Sequence, residues 1–224
     1  MKTGTMEPIK IPRVKICCIN SIKEARMAIK YGASAVGLVS DMPSGPGVIP
    51  EPRIAKIARI IPPTVSSFLL TKNQHTESIV TQQRRTGVNT IQICDTFLGD
   101  YTELKHTLPG IKIVQVIHVI GESSIEEACS VAPYVDALLL DSGNQYLPVK
   151  ELGGTGRIHN WRMSRKIRES VNIPVFLAGG LTSENVAEAV DQVAPFGVDV
   201  CTGVRTHGKL DKDKLIQFFN ALAV

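Results

Sequence analysis

The feature that most constrains this chain is an alternation of short apolar runs with stretches of helical periodicity, repeated eight times. The runs fall at 14–17, 35–39, 67–70, 90–94, 113–117, 137–140, 175–178 and 197–201. Near-continuous apolar strands of this length suit a parallel sheet buried on both faces, because one face must meet helices and the other a second apolar layer. Between the runs, apolar residues recur at helical spacing: Ile54, Ile57, Ala58 and Ile61, then Val186, Ala189, Val190 and Val193, then Leu215, Phe218, Phe219 and Leu222. Each set forms one stripe that can cover a sheet. Asn20-Ser21 and Ser183-Glu184 read as helix starts, and Pro62-Pro63 as a helix stop. Eight strand-helix units in this length predict an α/β fold, a single (β/α)8 TIM barrel spanning 1–224, with residues 1–12 as a loosely ordered N-terminal extension. An open doubly wound sheet ordinarily has fewer strands.

Composition narrows the function classes. The chain has 224 residues, and its formal net charge of +4 is too mild and dispersed for a nucleic-acid footprint. The densest basic cluster, 157–168, is broken by Ile158, Trp161, Met163 and Ile167, which reads as one face of a helix. No apolar run reaches the roughly 20 residues of a membrane span, and 1–10 lacks the apolar core of a secretory signal. A cytoplasmic protein without membrane or nucleic-acid partners is expected. Of five cysteines, Cys17, Cys18, Cys94 and Cys201 sit in or at the ends of apolar runs, as buried or site thiols do. There is no Cys-x-x-Cys or His-x-x-x-His pair, so no metal is expected.

In a barrel of this kind the site lies where strands end and the following loops begin. Three such loops stand out, at 40–50, 142–157 and 178–183. Gly179-Gly180 directly follows strand seven and precedes a helix, and strand eight runs into Thr202-Gly203. Backbone amides there, free of side chains, can bind phosphate at the position where this fold most often does so. A tight turn is the competing reading. Gly153-Gly154-Thr155-Gly156 supplies either a lid, further phosphate donors, or a flexible loop.

Two side chains are candidates for proton transfer. Asp141 ends strand six, where partial desolvation suits a carboxyl to general-acid work; a cap or loop hydrogen bond is the alternative. Cys17 ends strand one. Alternation puts Lys15 and Cys17 on one side and Ile16 and Cys18 on the other. Asp199 and Cys201 share a face in strand eight, so Lys15 and Asp199 are expected to pair inside the barrel. If Lys15 also reaches Cys17 it favours a thiolate base; otherwise Cys17 is an inert buried thiol.

Taken in order, Val14-Lys15-Ile16-Cys17, Ala137-Leu138-Leu139-Leu140-Asp141-Ser142, Gly153-Gly154-Thr155-Gly156, Leu177-Ala178-Gly179-Gly180-Leu181 with Glu184-Asn185-Val186, and Gly197-Val198-Asp199-Val200 resemble the phosphoribosylanthranilate isomerase family of tryptophan biosynthesis. The resemblance runs from Val14 to the last helix. It implies a cofactor-free Amadori rearrangement of a phosphorylated sugar, by a monomer or homodimer. Asp141 is then the general acid at the ribose ring oxygen and Cys17 the general base at C2. Gly154, Gly179, Gly180, Thr202 and Gly203 would hold the phosphate, and Gln92, Cys94, His118 and Arg205 the rest of the substrate.

The departures lie on the substrate side. Cys17-Cys18 stands where the family usually has Cys-Gly, predicting a less open first turn. Gly47 stands where the family carries an arginine for the anthranilate carboxylate, and Arg205 or His118 is the expected replacement. Gln92-Ile93-Cys94-Asp95 replaces Gln-Leu-His-Gly, and Cys201-Thr202-Gly203-Val204-Arg205 replaces a Ser-Ser-Gly-Val-Glu pattern. Two alternatives therefore stay open: a related sugar-phosphate isomerase with a non-anthranilate substrate, and a non-catalytic phosphometabolite-binding barrel.

Overall fold

The computed structural model describes residues 11–223, so the first ten residues of the expected extension at 1–12 lie outside the described residues. The chain runs β1 (Arg13–Ile16), α1 (Ile22–Lys30), β2 (Ala35–Val39), α2 (Glu51–Ala58), β3 (Ser66–Thr71), α3 (Thr76–Thr86), β4 (Thr90–Ile93), α4 (Tyr101–Thr107), β5 (Lys112–His118), α5 (Ser123–Val131), β6 (Ala137–Asp141), α6 (Trp161–Ser170), β7 (Val175–Leu177), α7 (Val186–Val193) and β8 (Gly197–Val200). A two-stranded ribbon, β9 (Arg205–Thr206) and β10 (Lys209–Leu210), precedes α8 (Lys212–Leu222). Strands β1 to β8 are parallel neighbours in sequence order, and β1 pairs with β8 to close the barrel.

Strand parity divides the buried residues into two layers. Ile16, Val36, Leu38, Leu69, Ile91, Ile93, Ile117, Leu138, Leu140, Leu177, Val198 and Val200 face the helices and meet the stripes of α2, α7 and α8. The other parity (Ala35, Phe68, Leu70, Val114, Val116, Leu139, Phe176) fills the barrel interior. Burying apolar surface at roughly 25 cal/mol per Å2 in both layers is what makes the closed sheet stable. At the N-terminal end of the interior, Phe68 and Phe176 meet edge to face at 6.0 Å, and the Lys15 ammonium lies 5.3 Å from the Phe68 ring centre.

Local signals explain most helix starts. Ser21 caps α1 by accepting from the Glu24 N–H at 3.2 Å, and Asp100, Asn160 and Asp211 cap α4, α6 and α8 in the same way. Helix α7 begins at Val186, later than Ser183-Glu184 suggested, because Asn185 accepts from the Thr182 N–H and holds 182–185 as a turn. The basic cluster forms one face of α6, where Arg165 pairs with Glu169 and Lys166 with Glu122, while Trp161, Ser164 and Ile167 are buried. Among the described residues, no helix is long and apolar enough to cross a membrane.

Candidate active site

The C-terminal ends of the strands open on a cavity of about 680 Å3, partly solvent, walled by β1, β4, β6 and β8 and roofed by the 40–50 and 142–160 loops. Cys17, Asp141, Gln92, Cys94, Gly154, Gly179, Gly180 and Thr202 all line it. One cavity thus brings together most of the residues chosen from sequence.

Cys17 continues β1 by donating its N–H to the Val200 carbonyl at 2.9 Å. Its inward direction follows from parity with Lys15, which is fully buried and 2.8 Å from Asp199. Gly37 on β2 makes room for this stack: a Cβ there would lie 2.9 Å from Cys17 Sγ and 3.1 Å from Lys15 Nζ. Burial opposes the Lys15 charge, but Asp199 and Cys17 outweigh it and hold the ammonium above its ordinary range. Burial raises Asp199, and Lys15 offsets that only in part. Cys17 is pushed below the ordinary thiol range, chiefly by the Cys18 thiol beside it and further by Lys15, against the burial penalty. Cys94, equally buried, is driven far upward by desolvation. The two inward cysteines therefore differ in kind: Cys17 is the thiolate and Cys94 a neutral thiol.

Asp141 ends β6 and is 7% exposed. One carboxylate oxygen accepts from the Ser142 N–H at 2.7 Å. The other faces Gly153, where a Cβ would come within 2.8 Å, so the glycine loop passes directly over the carboxyl. Ser142 and Thr155 hydroxyls join at 2.7 Å, tying the same loop to the strand end.

At the opposite wall, Gly179 and Gly180 have φ of 86° and 64°, in the region that favours glycine. A Cβ at Gly180 would lie 2.8 Å from the Arg157 carbonyl carbon. Thr202 completes this end. Gly203 does not line the cavity; a Cβ there would lie 2.0 Å from the Leu181 carbonyl oxygen, so Gly203 lets the β7 and β8 loops pack together.

Two expected substrate contacts are corrected. Arg205 is turned away from the cavity, because the tight turn at 202–204 carries the chain outward past β1. Its guanidinium binds both Glu24 carboxylate oxygens at 3.2 Å and the Cys17 and Cys18 carbonyls at 3.1 and 2.6 Å. It holds the first turn to α1 and has no hand free for a substrate. His118 is also outside the lining: its Nε2 meets the Cys94 carbonyl at 3.0 Å and its ring backs the wall behind Gly143.

Cys18 departs from parity as well. It lines the cavity beside Cys17 instead of facing the helices, because its φ of 60° reverses the chain at the strand end. The remaining wall, Met42, Ser44, Pro46, Leu70 and Leu152, was missed from sequence, and it contains no lysine or arginine. The roof is fastened by three contacts: Ser44 Oγ to the Lys150 carbonyl at 2.8 Å, Lys150 to Asp95 at 2.6 Å, and Thr96 to Gln145 at 3.1 Å. Among the described residues no cluster of three or more His, Cys, Asp or Glu could hold a metal.

A closed parallel barrel with a carboxyl and a thiolate at one cavity, and glycine loops after β7 and β8, defines an acid-base TIM-barrel enzyme of the phosphate-binding type. Residues 14–221 match the N-(5'phosphoribosyl)anthranilate (PRA) isomerase family. The chain is 38% identical over 209 residues to N-(5'-phosphoribosyl)anthranilate isomerase 2 of Methanosarcina mazei, covering 92% of each. It superposes on the phosphoribosyl anthranilate isomerase of Thermotoga maritima with a TM-score of 0.78 and 29% identity, covering 95% of this chain and 99% of that one. A further isomerase structure, solved with reduced 1-(o-carboxyphenylamino)-1-deoxyribulose 5-phosphate, gives a TM-score of 0.75 at 27% identity, with 95% and 99% coverage. The chain belongs to the phosphoribosylanthranilate isomerase family.

Proposed function

We propose that this barrel catalyses the Amadori rearrangement of N-(5'-phosphoribosyl)anthranilate to the 1-deoxyribulose 5-phosphate form. The observation that carries this reading is the placement of a Lys15-supported thiolate, Cys17, and a carboxyl, Asp141, on one cavity whose far wall is the Gly179-Gly180 turn. The rearrangement moves protons and electron pairs within one molecule, so an acid and a base are the groups it requires.

The phosphate is held by backbone amides at Gly154, Gly179 and Gly180 and by Thr202. This fixes the ribose between the two side chains. Asp141 gives its proton to the ring oxygen as the bond from that oxygen to C1 breaks, leaving an iminium. Cys17 then takes the proton from C2, forming an enolamine that tautomerises to the ketose. Gln92 Oε1 and Asp199 Oδ1 lack partners among the described residues, and both residues line the cavity, so they accept from sugar hydroxyls. The anthranilate ring lies against Met42, Leu70 and Leu152. The enzyme works as one barrel unit, a monomer or homodimer, in the cytoplasm; the ion pairs of α6 leave no basic face for nucleic acid.

A second reading, an isomerase for an aglycone without a carboxylate, draws on the lack of lysine or arginine in the lining. Turnover of phosphoribosylanthranilate generated in situ separates the two. The wild type should turn over, while Cys17→Ala and Asp141→Asn each lose at least about a hundredfold in kcat. Full activity in either variant removes its assigned role. No turnover by the folded wild type favours the second reading.

A further inference from the structure

Cys18 is held where its own backbone resists it. Its φ of 60° lies in the left-handed region, which glycine occupies freely and other residues only at a cost. The loop opposite gives way too: Gly47 has φ of 82°, and a Cβ there would lie 2.5 Å from Cys18 Cβ and 3.0 Å from Cys18 Sγ. Glycine at position 18 would relieve both, so simple space filling does not account for a thiol. From this spot the Cys18 sulfur is 3.6 Å from the Pro46 carbonyl oxygen and within side-chain hydrogen-bonding reach of the Cys17 and Cys201 thiols. A thiol has one hydrogen, and of a carbonyl, a neutral thiol and an anionic sulfur, the anion is the strongest acceptor.

We infer that Cys18 is a positioning residue: it gives its thiol hydrogen to the Cys17 sulfur and holds that sulfur as a thiolate facing the cavity. This rests on the reading of Cys17 as the base. The other groups facing Cys17 are Lys15 and Asp199 beneath it and Cys94 on β4, while Arg205 takes the Cys17 and Cys18 carbonyl oxygens. Lys15 favours the thiolate and Asp199 opposes it. Because that pair largely cancels, the Cys18 hydrogen is the support that remains. The direction found for both thiols agrees: contact with Cys18 lowers Cys17, and contact with Cys17 raises Cys18.

The test is the pH dependence of Cys17 alkylation by iodoacetamide, read by peptide mass spectrometry, in wild type, Cys18→Ser and Cys18→Gly. Cys18→Gly also relaxes the backbone, so it should fold. It is expected to slow Cys17 alkylation near pH 7 by roughly tenfold and to move the midpoint upward. Cys18→Ser keeps a donor and should stay within about twofold of wild type. In the glycine variant the acidic limb of kcat/KM should move up by the same amount as the alkylation midpoint. A glycine variant that titrates like wild type overturns the inference, and so does a serine variant that moves as far as glycine. Alkylation needs no substrate, so absence of turnover by the wild type would count against the proposed reaction and leave this readout intact.

Discussion

Cys18 and Gly47 exclude each other's side chains: the Cβ of any other residue at 47 would fall 2.5 Å from Cys18 Cβ and 2.9 Å from Cys18 Cα. The 40–50 loop can approach β1 only because one partner has no side chain. Gly47→Ala is therefore expected to cost about 2 kcal/mol or more, combining a positive φ with the collision. Adding Cys18→Gly should recover the collision and leave the φ penalty. Urea unfolding of the two singles and the double gives the coupling directly, and strict additivity would show that Cys18 is not the obstacle.

Arg205 belongs to the fold and not to substrate recognition. With both Glu24 oxygens and two carbonyls bound to its guanidinium, Arg205→Gln leaves a buried carboxylate unpaired and should destabilise by roughly 3 kcal/mol. The folded fraction should keep a KM within about twofold of wild type. A large KM rise at unchanged stability would return Arg205 to the substrate.

The strand order, the two-layer core, the Lys15 and Asp199 pair and the placement of Cys17 and Asp141 were legible in the sequence, because all follow from a two-residue period within continuous strands. What was not legible depends on backbone turns beyond the strand ends. A single left-handed residue redirected Cys18, and the 202–204 turn sent Arg205 outward. The pairing of Asp95 with Lys150 joins residues 55 apart, and no local pattern announces it.

That pairing makes its own prediction. Asp95 is 7% exposed at its side chain and follows Cys94, while Lys150 sits in the roof, whose carbonyl also accepts from Ser44. Asp95→Asn should free the 142–157 segment, raising KM about threefold to tenfold while changing kcat less. Limited proteolysis should then cut between Asn144 and Glu151, which the wild type holds as an antiparallel bridge. Unchanged KM and unchanged cleavage would mean that Ser44 and Gln145 suffice to hold the roof.

His159 gives stability a pH dependence of definite sign. Its Nε2 meets Ser164 Oγ at 2.6 Å, its Nδ1 is buried without a partner, and burial lowers its pKa to about 4, with Asp141 only partly opposing. The unfolded chain binds this proton near 6.5, before the folded one does. The neutral imidazole therefore contributes stability that is fully present above about pH 6.5 and is lost as pH falls toward about 4, on the order of 3 kcal/mol in all. Urea midpoints should decline across that interval in the wild type and decline less in His159→Gln, which has no proton to gain. Parallel pH profiles for the two proteins would place the acid sensitivity elsewhere and leave His159 without this role.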